Sequence, residues 1–172
     1  YGTGKLDVTD GAVVTTRDLF AIGWEAGSTG TVTVSGADSE INAGGNVFVG
    51  MEGTGKLDVT DGGHVTTGGG FSIAGSENVT STVTVSGTNS AVNAGTDMYV
   101  GHCGTGTLDV TDGGGAQIAG GLFIGTAARS YGTVTVSGAD SEINAGGNVY
   151  VGMEGAAKLN VTDGAGVYAG NN

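Results

Sequence analysis

Cations are scarce in this sequence. Lys5, Arg17, Lys56, Arg129 and Lys158 face 17 acidic side chains, and the net charge is -12 over 172 residues. The five form no cluster. Nucleic acid and anionic lipid surfaces are bound through concentrated cations, so both are poor partners. An acidic surface instead keeps a long repetitive molecule soluble. Cysteine occurs once, at Cys103, which excludes a disulfide within the chain. Aromatic residues are only 6% of the chain, which argues against a thick globular core and for a thin one of small β-branched side chains. No apolar run approaches the length of a membrane span, so this segment is not expected to insert into a membrane. No signal peptide or initiator Met is visible. The chain opens at Tyr1, at a position equivalent to Glu52, already inside a repeating pattern. It reads as a processed or excerpted piece of something longer.

Proline is absent and glycine numbers 38. Glycine at that level suits a flexible linker, but disordered chains lack the regular supply of Val, Ile and Leu seen here. The glycines also sit in a strict pattern. The stretch GTGKLDVTDG (Gly53–Gly62) has four versions, centred on Leu6, Leu57, Leu108 and Leu159, each 51 residues after the last. A fixed period is the signature of a repeat architecture. Each unit divides into two halves of about 25 residues, because TVTVSG at Thr31, Thr82 and Thr133 aligns with the LDV segments. About seven half-units result, the last incomplete.

Three short strands are expected in each half: LDV or VTV; then Gly63–Thr67 or Ser39–Ala43; then Asn46–Gly50, Leu122–Gly125 or Asn148–Gly152. All alternate apolar and polar residues with period two, the mark of a strand with one buried face. Gly-Gly, Asp-Gly and Asn-Ala-Gly lie between them and tolerate positive φ. No window has helical periodicity. Three strands per 25–26 residues, repeated in register across residues 1–172, describe one all-β domain: a parallel β-helix, or β-solenoid, with a 51-residue double-coil repeat. A flat meander would need two-residue hairpin turns, and antiparallel pairing does not favour a head-to-tail repeat. The inward set runs from Leu6, Val8, Val32 and Val34 to Val134 and Val136 in the first strands. In the third strands it runs from Phe20 and Ile22 to Val149 and Val151. Asn42, Asn93 and Asn144 recur at what reads as the second corner, as a hydrogen-bonded ladder.

The segments GTGKLDVTDGGHVTTGGGFSIAG (53–75) and TVTVSGADSEINAGGNVYVG (133–152) resemble the type V secretion and PEP-CTERM-associated repeats of autotransporter passenger domains and other exported bacterial surface proteins. The resemblance covers essentially the whole chain. It implies a single-stranded right-handed coil, secretion and display outside the cell. It implies no catalytic residues, because the repeat pattern defines coils and not a site.

The leading outward feature is aromatic. Phe48, Tyr99 and Tyr150 are spaced by 51 residues, each between two inward residues, and Phe123 takes the same place in an intervening coil. Tyr99, Phe123 and Tyr150 are expected to form a stacked stripe in three consecutive coils, with Ala21 and Ser72 at that position elsewhere. Contiguous exposed apolar area usually means contact, with sugar rings or another fibre. The competing reading is a ladder that only stabilises its sheet. The acidic pairs Asp7/Asp10, Asp58/Asp61 and Asp109/Asp112 read as an outward strand residue followed by an Asp-Gly turn. Calcium ligation at Asp58, Asp61, Asp109 and Asp112 is the alternative. The T-x-T pairs occur only in even halves; Lys and Asp take the matching positions in most odd halves and interrupt any flat Thr array suited to ice. His102 and Cys103 are adjacent, and two residues cannot complete a zinc site; they read as a turn variant of Met51-Glu52. Asn78-Val-Thr80 and Asn160-Val-Thr162 match the glycosylation sequon. No cofactor is implied.

The function expected from this content is non-catalytic: an extracellular structural or adhesive β-helix of the bacterial surface, a stalk or fibre, associating with itself or with other surface proteins or glycans. The alternatives are a self-assembling filament subunit and a polysaccharide-processing β-helix enzyme using acids such as Asp58 and Asp61. An enzyme would favour a cleft-forming insertion, and none breaks the 51-residue register.

Overall fold

The computed structural model describes residues 2–170. The chain is a parallel β-solenoid. Among the described residues there is no helix, and hence none long and apolar enough to cross a membrane. Three parallel sheets of seven, seven and six strands run along the axis, each inner strand pairing with its equivalent one coil before and one coil after. Coil 1 consists of Thr3–Thr9, Val13–Thr16 and Phe20–Ile22, and coil 2 of Thr29–Ser35, Glu40–Ala43 and Val47–Val49. Leu57 pairs with Val83, and Val83 with Leu108, so the 51-residue period places Leu57 and Leu108 two coils apart in one column.

Alternation sends every second side chain into that column. Val34, Leu57, Val85, Leu108 and Val134 are fully buried from the first sheet, and Phe71, Met98, Leu122 and Ile124 from the third. The second sheet adds Ile41, Val65, Val92 and Ile143, which complete the third wall. The inward assignment departs from expectation only in the outer coils. Leu6, Phe20 and Val149 are partly buried, and Val151 is 48% exposed. Coils 1 and 6 have a third-sheet neighbour on one side only, so their inward residues lack half the cover.

The strands differ from expectation in length. The first strand is seven residues, Thr54–Thr60 in coil 3, rather than three, while the others lose their flanking residues to the corners. The third strands stop where glycine takes positive φ, at Gly50, Gly101 and Gly152. The two halves of the repeat differ at their corners. Asp61 and Gly62 both have positive φ, and Gly63 N donates to Thr60 O at 2.9 Å. This is a type I′ pattern, serving as a corner between two parallel sheets instead of as a hairpin. The even coils use the longer Ser35-Gly-Ala-Asp-Ser39 corner, with Gly36 and Asp38 at positive φ. Its last serine is buried and bridges coils: Ser90 Oγ accepts from Gly62 N (3.0 Å) and donates to Ser86 O (2.7 Å). Ser141 repeats this with Gly113 N and Ser137 O.

Asn42 and Asn93 lie within strands, not at a corner, and face Thr66 from either side; Asn93 and Asn144 flank Gln117 in the same way. Like asparagines are therefore two coils apart and form no continuous ladder. One contact in the row is Asn93 Nδ2 donating to Thr66 Oγ1 at 3.4 Å.

Leu108 is fully buried with strands on both sides, whereas Leu159, its equivalent in coil 7, is only partly buried. Leu108→Ala is expected to cost about 2–5 kcal/mol in guanidinium denaturation, and Leu159→Ala distinctly less. Equal losses would contradict the stacked column.

Candidate functional site

The outer face of the third sheet carries the aromatic residues. In coil order its central positions are Ala21, Phe48, Ser72, Tyr99, Phe123 and Tyr150, each paired with the next. Parallel register repeats side-chain position at every strand spacing of about 4.8 Å, and this brings the rings together. Tyr99 and Phe123 stack at 5.1 Å between centroids, 16° apart in plane; Phe123 and Tyr150 stack at 5.1 Å and 14°. The expected three-ring stripe is present. Phe48 stands apart from it, because Ser72 occupies the strand between Phe48 and Tyr99.

Two further rings join this face. Trp24, 43% exposed at the corner of coil 1, meets Phe48 edge-on at 5.9 Å. His102 meets Tyr99 edge-on at 4.8 Å. Neither lies in a strand, so period-two reading passes over both. Trp24 is the sole tryptophan, the one signal that could have drawn notice to it. The turn-variant reading of His102 misses its place beside Tyr99.

Polar groups orient the rings. Asp97 accepts from Gly121 N through Oδ1 (2.8 Å) and from the Tyr99 hydroxyl through Oδ2 (3.3 Å). Burial, with the Asp97 carboxylate second, raises the Tyr99 pKa above its usual value. Asn148 Nδ2 donates to Tyr150 Oη at 3.0 Å, and Asn46 Oδ1 accepts from Gly70 N at 2.8 Å. Thr126 donates its hydroxyl hydrogen to the His102 carbonyl (2.7 Å), and the same oxygen lies 3.2 Å from His102 Nδ1. With that hydrogen committed, the pattern assigns a proton to Nδ1 and leaves Nε2 of the neutral ring as an acceptor.

Coil 3 interrupts the face. Ser72 stands where the neighbouring coils carry rings, and Gly75 stands where coil 1 has Trp24. Between Phe48 and Met51 on one side and Tyr99 and His102 on the other lies a cavity of about 430 Å³. Ser72 is 8% exposed, and its Oγ has no hydrogen-bond partner. Ser28 and Ser130 also have unpartnered hydroxyls, but these pack against Gly53 and Gly155 at corners, where an added Cβ would clash with them.

The acidic pairs are held in the coils. Asp58 bonds Lys56 at 2.6 Å on the first sheet, and Asp7 bonds Lys5 at 2.9 Å, which lowers the Asp7 pKa. Asp61 and Asp112 accept from Ser35 and Ser86 of the preceding coils, both at 2.9 Å. Asp109 pairs in register with Thr84 and Thr135. Among the described residues no group of three or more His, Cys, Asp or Glu is placed to hold a metal ion.

What these features define is a β-solenoid with a ringed face and one gap in it. Compared with protein-family models, with curated proteins and with solved structures, the chain matches none.

Burial lowers the His102 pKa. The unfolded chain, whose histidine titrates near pH 6.5, then binds more protons than the folded one as pH falls through that value, so stability drops. Wild type is expected to lose more melting temperature between pH 7.5 and 5.0 than His102→Gln, both followed by circular dichroism. An equal or larger loss in the variant would contradict this.

Proposed function

We propose that this β-solenoid is a non-catalytic extracellular stalk or fibre of the bacterial surface, and that the outer face of its third sheet makes adhesive contact. The observation that carries the reading is the Tyr99–Phe123–Tyr150 stack on an outer face, with Tyr150 40% exposed. Rings on a rigid sheet present large contact area at little cost in conformational entropy. The net charge of -12 suits a long rod that must stay dispersed. Type V secretion-like display rests on the resemblance of the repeats alone. The contacts open to such a face are another copy of the chain, another surface protein or a glycan.

The test is the triple variant Tyr99→Ser, Phe123→Ser, Tyr150→Ser. These side chains point away from the column, so the β-sheet circular dichroism is expected to persist. Self-association in sedimentation velocity, or retention on immobilised cell-surface material, is expected to fall at least tenfold. Unchanged association and retention would reduce the stack to a sheet-stabilising ladder and overturn the reading.

A further inference from the structure

We propose that the gap at coil 3 is a slot for one neutral pyranose ring of a polysaccharide. The inference deepens the reading of the third sheet as a contact face and rests on it.

The slot is singular in a chain that otherwise repeats. Coil 1 also has a small residue on the stripe, Ala21, but there Trp24 leans on Phe48. Coil 5 fills the position with Phe123, stacked on both sides. Coil 3 has Ser72 on the strand and Gly75 at the corner, so neither device operates, and the space between Phe48 and Tyr99 stays open. Its volume of about 430 Å³ falls in the range of small-ligand sites.

The dimensions admit a single ring between the two walls. Phe48 and Tyr99 are two strand spacings apart, about 9–10 Å. Tyr99 and Tyr150 hold Phe123 between them at the same separation, 5.1 Å to each side, so the width alone admits a flat ring as well as a puckered one. A puckered ring, thickened by its axial hydrogens, also fills this width, and the polar groups around it decide between the two. Its C–H faces meet the aromatic side chains, and its rim of hydroxyls meets what surrounds them.

The polar groups are of the kind that sugar hydroxyls satisfy. The Ser72 hydroxyl beneath the slot lacks a partner and its oxygen is covered by its neighbours, which is costly for a buried polar group; a turn about its Cα–Cβ bond is what brings it to a bound hydroxyl. Asn46 spends its Oδ1 on Gly70 N and keeps its Nδ2 hydrogens as donors. His102 offers Nε2 as an acceptor. A hydroxyl both donates and accepts, and so pairs with all three; the phenyl ring of a partner protein would leave them unpaired. No Lys or Arg lines the slot, while Asp97 does, and this selects against uronic acids and other anionic sugars.

The experiment is calorimetric titration of the whole chain with neutral hexasaccharides of β-1,4-glucose, β-1,3-glucose, α-mannose and N-acetylglucosamine. Hexagalacturonate and a capped Gly-Phe-Gly peptide are the comparison probes. At least one neutral hexasaccharide is expected to bind with Kd below about 1 mM. Ser72→Phe continues the stack through coil 3 as Phe123 does in coil 5; it is expected to keep the melting temperature and weaken that binding at least tenfold. Ser72→Ala, which removes only the hydroxyl, is expected to weaken it about two- to tenfold. The inference is overturned if no neutral hexasaccharide binds, if the anionic sugar or the phenyl peptide binds more tightly, or if Ser72→Phe binds as wild type does. Ser72→Phe leaves Tyr99, Phe123 and Tyr150 in place. Adhesion lost only in the triple variant therefore bears on the contact face, and sugar binding lost in Ser72→Phe bears on the slot.

Discussion

Every feature of this molecule depends on one constraint: each strand hydrogen-bonds its equivalent in the next coil without slipping by a residue. A slip of one would turn every inward side chain outward, since the period of a strand is two. With no helix among the described residues and a column one side chain deep, no second layer could absorb such an error. The apolar column and the backbone ladders hold each other in place. Val83 lies between Leu57 and Leu108 because of the register, and the register holds because those three side chains are buried only in that arrangement.

Corners decide why the period is 51 residues and not half of that. Odd coils turn from first to second sheet through Asp-Gly and reach the next coil through six residues, as from Ile22 to Thr29; even coils use the longer serine corner and return through four, as from Val49 to Thr54. The two designs interlock. An even-coil serine accepts from the glycine of the turn before it, and another donates to the aspartate of the turn after it, as Ser39 does with Gly11 and Ser35 with Asp61. The carboxylates that read as paired acids thereby become joints between coils. Close packing at the third corner leaves no room for a side chain at Gly106, where a Cβ would run into the Gly101 backbone. That is a reason for the glycine content unrelated to flexibility.

A repeat scaffold acquires an individual site by breaking its pattern. The ringed face exists because parallel register copies a position from coil to coil, and the slot exists because one coil declines to copy it. Ser72 and Gly75 are small polar or absent side chains on a face that is otherwise filled. Recognition by such a surface would depend on departures from the repeat more than on the repeat itself.

The sequence by itself determined the coil architecture, the column-lining residues that the first and third strands supply in the central coils, and the Tyr99–Phe123–Tyr150 stripe. All three follow from a period of two within strands and of 51 between them, and periodicity is a local property that can be counted. Only the tertiary structure decided what happens at corners and between coils. Asp-Gly between alternating strands is the strongest short-range hairpin signal, yet here it joins two different sheets, because pairing one coil away satisfies more backbone than pairing back on itself. The asparagines fell inside strands, the serines became bridges, and Trp24 and His102 reached the aromatic face from corners whose path no pattern of alternation specifies. The empty place at Ser72 could be read as a missing ring, but its walls, volume and unpartnered hydroxyl are set by residues 24 and 27 positions away along the chain, brought to its sides by the winding of the backbone.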